Sequence, residues 1–233
     1  MSTILFVLSG ADHWTQSDGS SAPAGFFAEE LVRPHRAFTE AGHAITISTP
    51  GGRRPTMDQA SIDPQVVGPD AAFYRCYVES IAAQLESPTP LSDVAGQDYD
   101  ALVIPGGHAP MEDLYADADL GRVLGEATDA GAVIAAVCHG PAALLSATRP
   151  DGTWLFHDRR VVSLTNEEEE IFGTAAGAPW LLESRLRERG GVFEGAAPWT
   201  PHVVRDGQLI TGQNPHSSAL VADAILEELR ARS

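Results

Sequence analysis

The 233 residues contain only two cysteines, Cys76 and Cys138. That is too few for a disulfide framework, and the pair reads as free thiols in a reducing compartment. No stretch approaches the roughly 18 apolar residues that a membrane-spanning helix needs. Met1-Ser2-Thr3-Ile4 enters an apolar run directly, without the basic start of a secretory signal. Positive charge is scarce: 15 Lys+Arg stand against 32 Asp+Glu, a formal net charge of −17. Such a surface repels nucleic acid and anionic membranes, so neither is an expected partner. The expectation is a cytoplasmic protein. No Pro/Gly/Ser linker divides the chain, no internal repeat is visible, and the four-glutamate run Glu167 to Glu170 is too short for a low-complexity tail. One domain over residues 1–233 is expected, with an insertion or cap at about 50–90, where Pro and Gly are scattered around a helical pattern from Ala71 to Leu85.

What the chain does have is alternation. Apolar, β-branched runs at Thr3 to Ser9, His43 to Ser48, Tyr99 to Ile104 and Gly131 to Val137 read as strands. Helical patterns lie between them at Gly25 to Ala41 and Leu114 to Ala130. Strands apolar on both faces that alternate with helices indicate a mostly parallel central sheet with helices on both faces, an α/β three-layer sandwich. Further on, Val161 to Leu164 reads as a strand, Pro179 to Arg189 as a helix, Val203 to Ile210 as a hairpin around Asp206-Gly207, and Ser217 to Arg230 as the final helix.

The chemistry centres on Ala135-Ala136-Val137-Cys138-His139-Gly140-Pro141. A buried strand ends at Cys138, and a helix of small residues is expected within two or three positions, which is the geometry of a nucleophile elbow. A helix N-terminus beyond the sulfur should favour the thiolate and supply N–H groups for an oxyanion. Cys76, in Phe73-Tyr74-Arg75-Cys76-Tyr77, has no turn signal and reads as a small, buried structural cysteine. Pro105-Gly106-Gly107-His108 ends another strand at the same sheet edge, where open α/β sheets bind ligands. No HExxH or paired CxxC spacing occurs, so neither metal nor another cofactor is expected.

With these motifs the chain resembles the ThiJ/PfpI superfamily, whose fold is a flavodoxin-like sandwich of the class I glutamine amidotransferase type. It is most similar to the branch of heat-shock-chaperone-like proteins and glutathione-independent glyoxalases. The resemblance spans nearly the whole chain: residues 25–34, 99–114, the Cys138 elbow, Leu164-Thr165-Asn166 and the glutamates after it, and Thr211-Gly212-Gln213-Asn214-Pro215. It implies that Cys138 is the nucleophile and that Glu30, four residues before Pro34, contacts its sulfur, while Glu29 points elsewhere. It also implies that His139 exchanges protons and that an acid after Thr165-Asn166 orients His139. Glu169 is favoured for that acid, with Glu168 and Glu170 as alternatives; the remaining glutamates read as a solvated helix start. Gly106 and Gly107 are expected to bind substrate through backbone N–H groups, chiefly that of Gly107, and His108 either lines the pocket as a substrate-binding residue or faces solvent.

The implied reaction converts a small carbonyl substrate, a 2-oxoaldehyde such as methylglyoxal, to a 2-hydroxy acid, D-lactate, without glutathione. Two rivals come with the same superfamily. Glutamine amidotransfer needs a late His-x-Glu, but His157, His202 and His216 are followed two positions on by Arg159, Val204 and Ser218; peptidase chemistry stays open. A chaperone or redox-sensing role with Cys138 as sensor uses the same thiol. Relatives commonly form homodimers, so a homodimer is expected.

Overall fold

The protein is described from a computed structural model covering residues 1–232. In chain order its elements are β1 (Thr3–Val7), β2 (His13–Thr15), β3 (Ser21–Pro23), α1 (Ala28–Glu40), β4 (Ala44–Thr49), α2 (Pro64–Val67), α3 (Ala71–Ser80), α4 (Ala82–Glu86), β5 (Thr89–Pro90), β6 (Ala101–Ile104), α5 (Ala118–Asp129) and β7 (Val133–Val137). There follow β8 (Arg160–Val161), α6 (Asn166–Phe172), α7 (Leu182–Glu188), β9 (Val192–Phe193), β10 (Val203–Asp206), β11 (Leu209–Gly212) and α8 (Ser218–Ala231). No helix among these residues is long and apolar enough to cross a membrane.

Seven strands form one sheet in the order β10-β11-β7-β6-β1-β4-β5, parallel throughout except for the β10–β11 hairpin at one edge. Alternate residues of each central strand feed two cores. Leu5 and Val7 of β1 join Leu102, Ile104, Ile134 and Ala136 beneath α5, whereas Ile4 and Phe6 join Ala101, Val103, Val133 and Ala135 beneath α1 and α8. Burial on both faces explains why these strands read as unbroken apolar runs. The chain leaves β1 for β4 on one side and returns to β6 on the other, so the sheet reverses direction beside β1. Both β6 and β7 therefore deliver their C-terminal ends to the reversal point where such sheets bind ligands.

Several expected elements differ in detail. The segment predicted as one strand, Val161 to Leu164, pairs with β9 only over β8, outside the main sheet. Beyond Val161 it makes other bonds: Val162 N–H donates to Thr211 Oγ1 at 2.9 Å and Leu164 N–H to the Cys138 carbonyl at 2.9 Å. The elbow is followed not by an α-helix but by a seven-residue 3-10 segment, Gly140–Ser146. The expected helix at 71–85 breaks at Ile81 into α3 and α4, and the one at 179–189 forms only over α7. Cys76 is exposed on α3 rather than buried. The hairpin β2–β3 has no counterpart in the sequence reading.

Candidate active site

Cys138 sits at φ 59°, one of three non-glycine residues with positive φ among those described. The strain is held on both sides: Cys138 N–H donates to the Gly212 carbonyl at 3.0 Å, and its own carbonyl accepts from Leu164 N–H at 2.9 Å. The turn after β6 presses against this elbow, and a Cβ on Gly106 would meet the His139 backbone nitrogen at 2.5 Å, so only glycine fits there. The thiol is 4% exposed. Its expected activation by a helix N-terminus is not what the structure has. Burial pushes the thiol well up, the neighbouring Glu30 charge pushes it further, and the Gly107 N–H acts in the other direction. A short 3-10 segment has too little aligned dipole to outweigh a desolvated sulfur beside a carboxylate.

Glu30 lies in the first turn of α1 and is fully buried. Its Oε2 accepts the Gly106 N–H at 2.5 Å, which occupies that amide. Oε1 has no well-aligned hydrogen-bond partner among the described residues, and the carboxyl is in electrostatic contact with the Cys138 thiol. Burial raises the carboxyl well above the usual range, against the lowering effect of the Gly106 and Cys138 hydrogen bonds. Glu30 is thus a stronger base than a solvated carboxylate, placed against the sulfur. Pro34 contributes by lacking the N–H that would otherwise bond the Glu30 carbonyl within α1. Glu29 lines the cavity while pairing with Arg33 at 3.6 Å.

His139 is 2% exposed. Its Nδ1 lies 3.5 Å from Cys138 Sγ and its Nε2 2.7 Å from Glu169 Oε2. The other oxygen of Glu169 holds His108 Nε2 at 2.8 Å and accepts from Thr174 Oγ1 at 2.5 Å. A carboxylate that takes one N–H from each imidazole fixes the orientation of both rings, and His139 Nδ1 is the nitrogen that faces the sulfur. Burial alone would raise Glu169, but the charge of His139 and the bonds from both histidines outweigh it and hold the carboxyl far below its usual range. His108 stacks on Trp14 at 4.5 Å and lies 4.2 Å from the His139 ring, and burial followed by the charge of His139 lowers its pKa. His108, His139 and Glu169 bring three metal-type donor atoms within 4.8 Å of one another, a clustering that sequence spacing did not reveal. A cation there would have to displace the bonds that orient His139.

Among the four consecutive glutamates, Glu167 and Glu170 are solvated. Glu168 is fully buried and turned the other way. Its Oε2 accepts from Thr165 N–H at 2.9 Å and Oγ1 at 3.0 Å in a capping box, and its Oε1 accepts from Trp199 N–H and Asn214 Nδ2 at 2.8 Å each. Glu168→Ala strands these donors in the interior. It is expected to cost roughly 3 kcal/mol or more, a fall in Tm of about 6–12 °C at this chain length, read by calorimetry.

The pH dependence of stability follows from the two shifts. Glu169 lies below its ordinary value of 4.5 in the folded protein, so its contribution is complete above that value and is lost as pH falls below it. Glu30 has the opposite sign: its folded value is raised, and stability falls as pH climbs above 4.5. Glu169→Gln is expected to melt below wild type at neutral pH, with the gap closing below pH 4.5, in melting curves taken across pH.

Cys138, His139, His108 and Gly107 line a cavity of about 330 Å³. Asp58, Ala60 and Gln65 to Val67, from the expected insertion, also line it, as do Phe172 and Trp199. Trp14, Asp58, Thr174 and Trp199 were not foreseen. For Trp14 the Asp18-Gly19 dipeptide was the available turn signal, with Gly19 at φ 82°; the others lie in irregular segments.

The family model described as "DJ-1/PfpI family" matches residues 22–228. "Glyoxalase 3" of Candida albicans is 25% identical over 97% of this chain and 98% of its own length. "Glutathione-independent glyoxalase hsp3102" of Schizosaccharomyces pombe is 28% identical over 91% of each. The human "Glutamine amidotransferase-like class 1 domain-containing protein 1" is 32% identical over 89% of this chain and 90% of its own. The solved structure of Candida albicans glyoxalase III superposes with a TM-score of 0.83 at 26% identity, covering 97% of this chain and 96% of that one. With the family model spanning nearly the whole sequence, the chain belongs to the DJ-1/PfpI family.

Proposed function

We propose that the protein is a glutathione-independent glyoxalase of the D-lactate dehydratase type, with Cys138 as its nucleophile. The observation that carries this reading is the convergence on one closed sulfur of two separate proton carriers, Glu30 and the Glu169-oriented His139. Moving a hydrogen between adjacent carbons needs both: one at carbon, one at oxygen.

Sγ bonds to C1 of the oxoaldehyde as His139 Nδ1 takes the thiol proton. The C1 carbonyl pair moves onto its oxygen, which the Gly107 N–H can stabilise. The Glu30 carboxylate then removes the C1 hydrogen as a proton. The released pair forms C1=C2, and the C2 carbonyl oxygen takes the proton from His139. The O1 charge collapses to a thioester as C2 takes the proton back from Glu30. Water, deprotonated by His139, adds to C1, the C1–S bond breaks, and the sulfur regains its proton. C1 is oxidised and C2 reduced by the same electron pair, so no external redox partner is needed. Glutathione is replaced by the protein's own thiol.

Amidotransfer fits less well, since the histidine directly follows the cysteine and is paired with Glu169. A redox sensor needs an accessible thiolate, and this thiol is buried with its pKa pushed up. A cytoplasmic location suits an enzyme that must keep Cys138 reduced.

The test is NMR of methylglyoxal incubated with the protein in thiol-free buffer. One lactate should appear per methylglyoxal consumed, and a stereospecific assay should identify the D form. Lactate no faster than with heat-denatured protein would overturn the reading.

A further inference from the structure

Trp199 is a large residue at φ 59°, a conformation that costs a side chain energy unless its surroundings impose it. Here they do. Its N–H donates to Glu168 Oε1 at 2.8 Å. On one side, Gln213 Oε1 accepts from Ala196 N–H at 2.7 Å; on the other, Asn214 Nδ2 donates to the Thr200 carbonyl at 3.0 Å. Glu168, Gln213 and Asn214 are all fully buried. Three buried polar side chains thus fix one short loop, and they include the Gln213-Asn214 pair of the motif to which the reaction assigns no role. The indole they aim packs against the small cluster formed by Val137, Cys138 and Leu164.

The cavity beside that indole is larger than methylglyoxal requires. At about 330 Å³ it lies in the range that ring-sized ligands fill. Its rim carries Phe172, whose ring lies 6.2 Å from Trp199, and Val66; these are 42% and 43% exposed. Large apolar side chains left in water around a catalytic pocket are the ones a substrate's apolar group would cover. The lining includes no Lys or Arg, and its two carboxyl groups are Glu29 and Asp58. Its only nitrogen-bearing basic side chains are His108, His139 and His216, the first two already held by Glu169.

We propose that this site is shaped for 2-oxoaldehydes whose C2 bears a bulky, uncharged, apolar substituent, an aryl ring above all, seated between Trp199, Phe172 and Val66. The inference rests on the glyoxalase reading for the reaction, but the binding subsite is tested apart from turnover.

The binding arm uses the inert Cys138→Ser protein and calorimetric titration with 2-hydroxyacetophenone and with hydroxyacetone. The aryl ketone should bind roughly tenfold tighter or more. Trp199→Ala should remove most of that preference, and Trp199→Phe should restore most of it. Equal affinities, or a preference that survives Trp199→Ala, would overturn the proposal. The turnover arm compares kcat/KM for phenylglyoxal and methylglyoxal. The ratio should favour phenylglyoxal and fall roughly tenfold to a hundredfold in Trp199→Ala, mainly through KM. If both aldehydes are inert while the aryl ketone still binds through Trp199, the reaction assignment fails and the aryl subsite stands.

Discussion

Cys138→Ser is expected to lower kcat for methylglyoxal by roughly a thousandfold or more. A hydroxyl in the same buried place is far harder to deprotonate than a thiol, and Glu30 and His139 are matched to sulfur. The exchange removes little volume. The elbow strain is carried by backbone bonds to Gly212 and Leu164, so folding should survive, with a change in stability of about 1 kcal/mol. Steady-state kinetics beside a thermal melt separates the two effects. A variant that melts like wild type and still turns over at a tenth of its rate would remove Cys138 from the mechanism.

Glu30→Gln is expected to lower kcat by roughly 10² to 10⁴, the usual cost of losing a positioned proton carrier, with a smaller change in KM. The amide oxygen can still accept the Gly106 N–H, so the geometry around Cys138 is kept. Stability should move the other way. Burial disfavours the ionised Glu30 carboxyl, so wild type loses stability relative to the unfolded chain as pH rises above 4.5, whereas glutamine has no titrating group there. Glu30→Gln should therefore melt at or above wild type at neutral pH, and its advantage should grow with pH. A variant that is both less stable and fully active would mean that Glu30 only braces the Gly106 turn.

The sequence made the sheet legible because β1, β4, β6 and β7 are buried on both faces and therefore read as unbroken apolar runs. The elbow was legible because Cys138-His139-Gly140-Pro141 carries its own local geometry. What stayed hidden depended on contacts between distant segments. Glu168 and Glu169 are neighbours of identical chemistry. Only the folded chain shows one turned toward Thr165, Trp199 and Asn214 and the other toward His108 and His139. Trp14 and Trp199 reach the site from a short hairpin and an irregular loop that no periodicity marks. The expected thiolate failed because the local signal, a turn before a small-residue segment, says nothing of a fully buried glutamate contributed by α1.

The most direct measurement is acid quench of a single turnover of methylglyoxal, followed by mass spectrometry of the peptide that contains Cys138. The expected result is a transient lactoyl mass on Cys138 that hydroxylamine releases, as a thioester requires, and that is absent from Cys138→Ser. Lactate formation with that peptide unlabelled at every quench time, and undiminished in Cys138→Ser, would contradict covalent catalysis by this thiol.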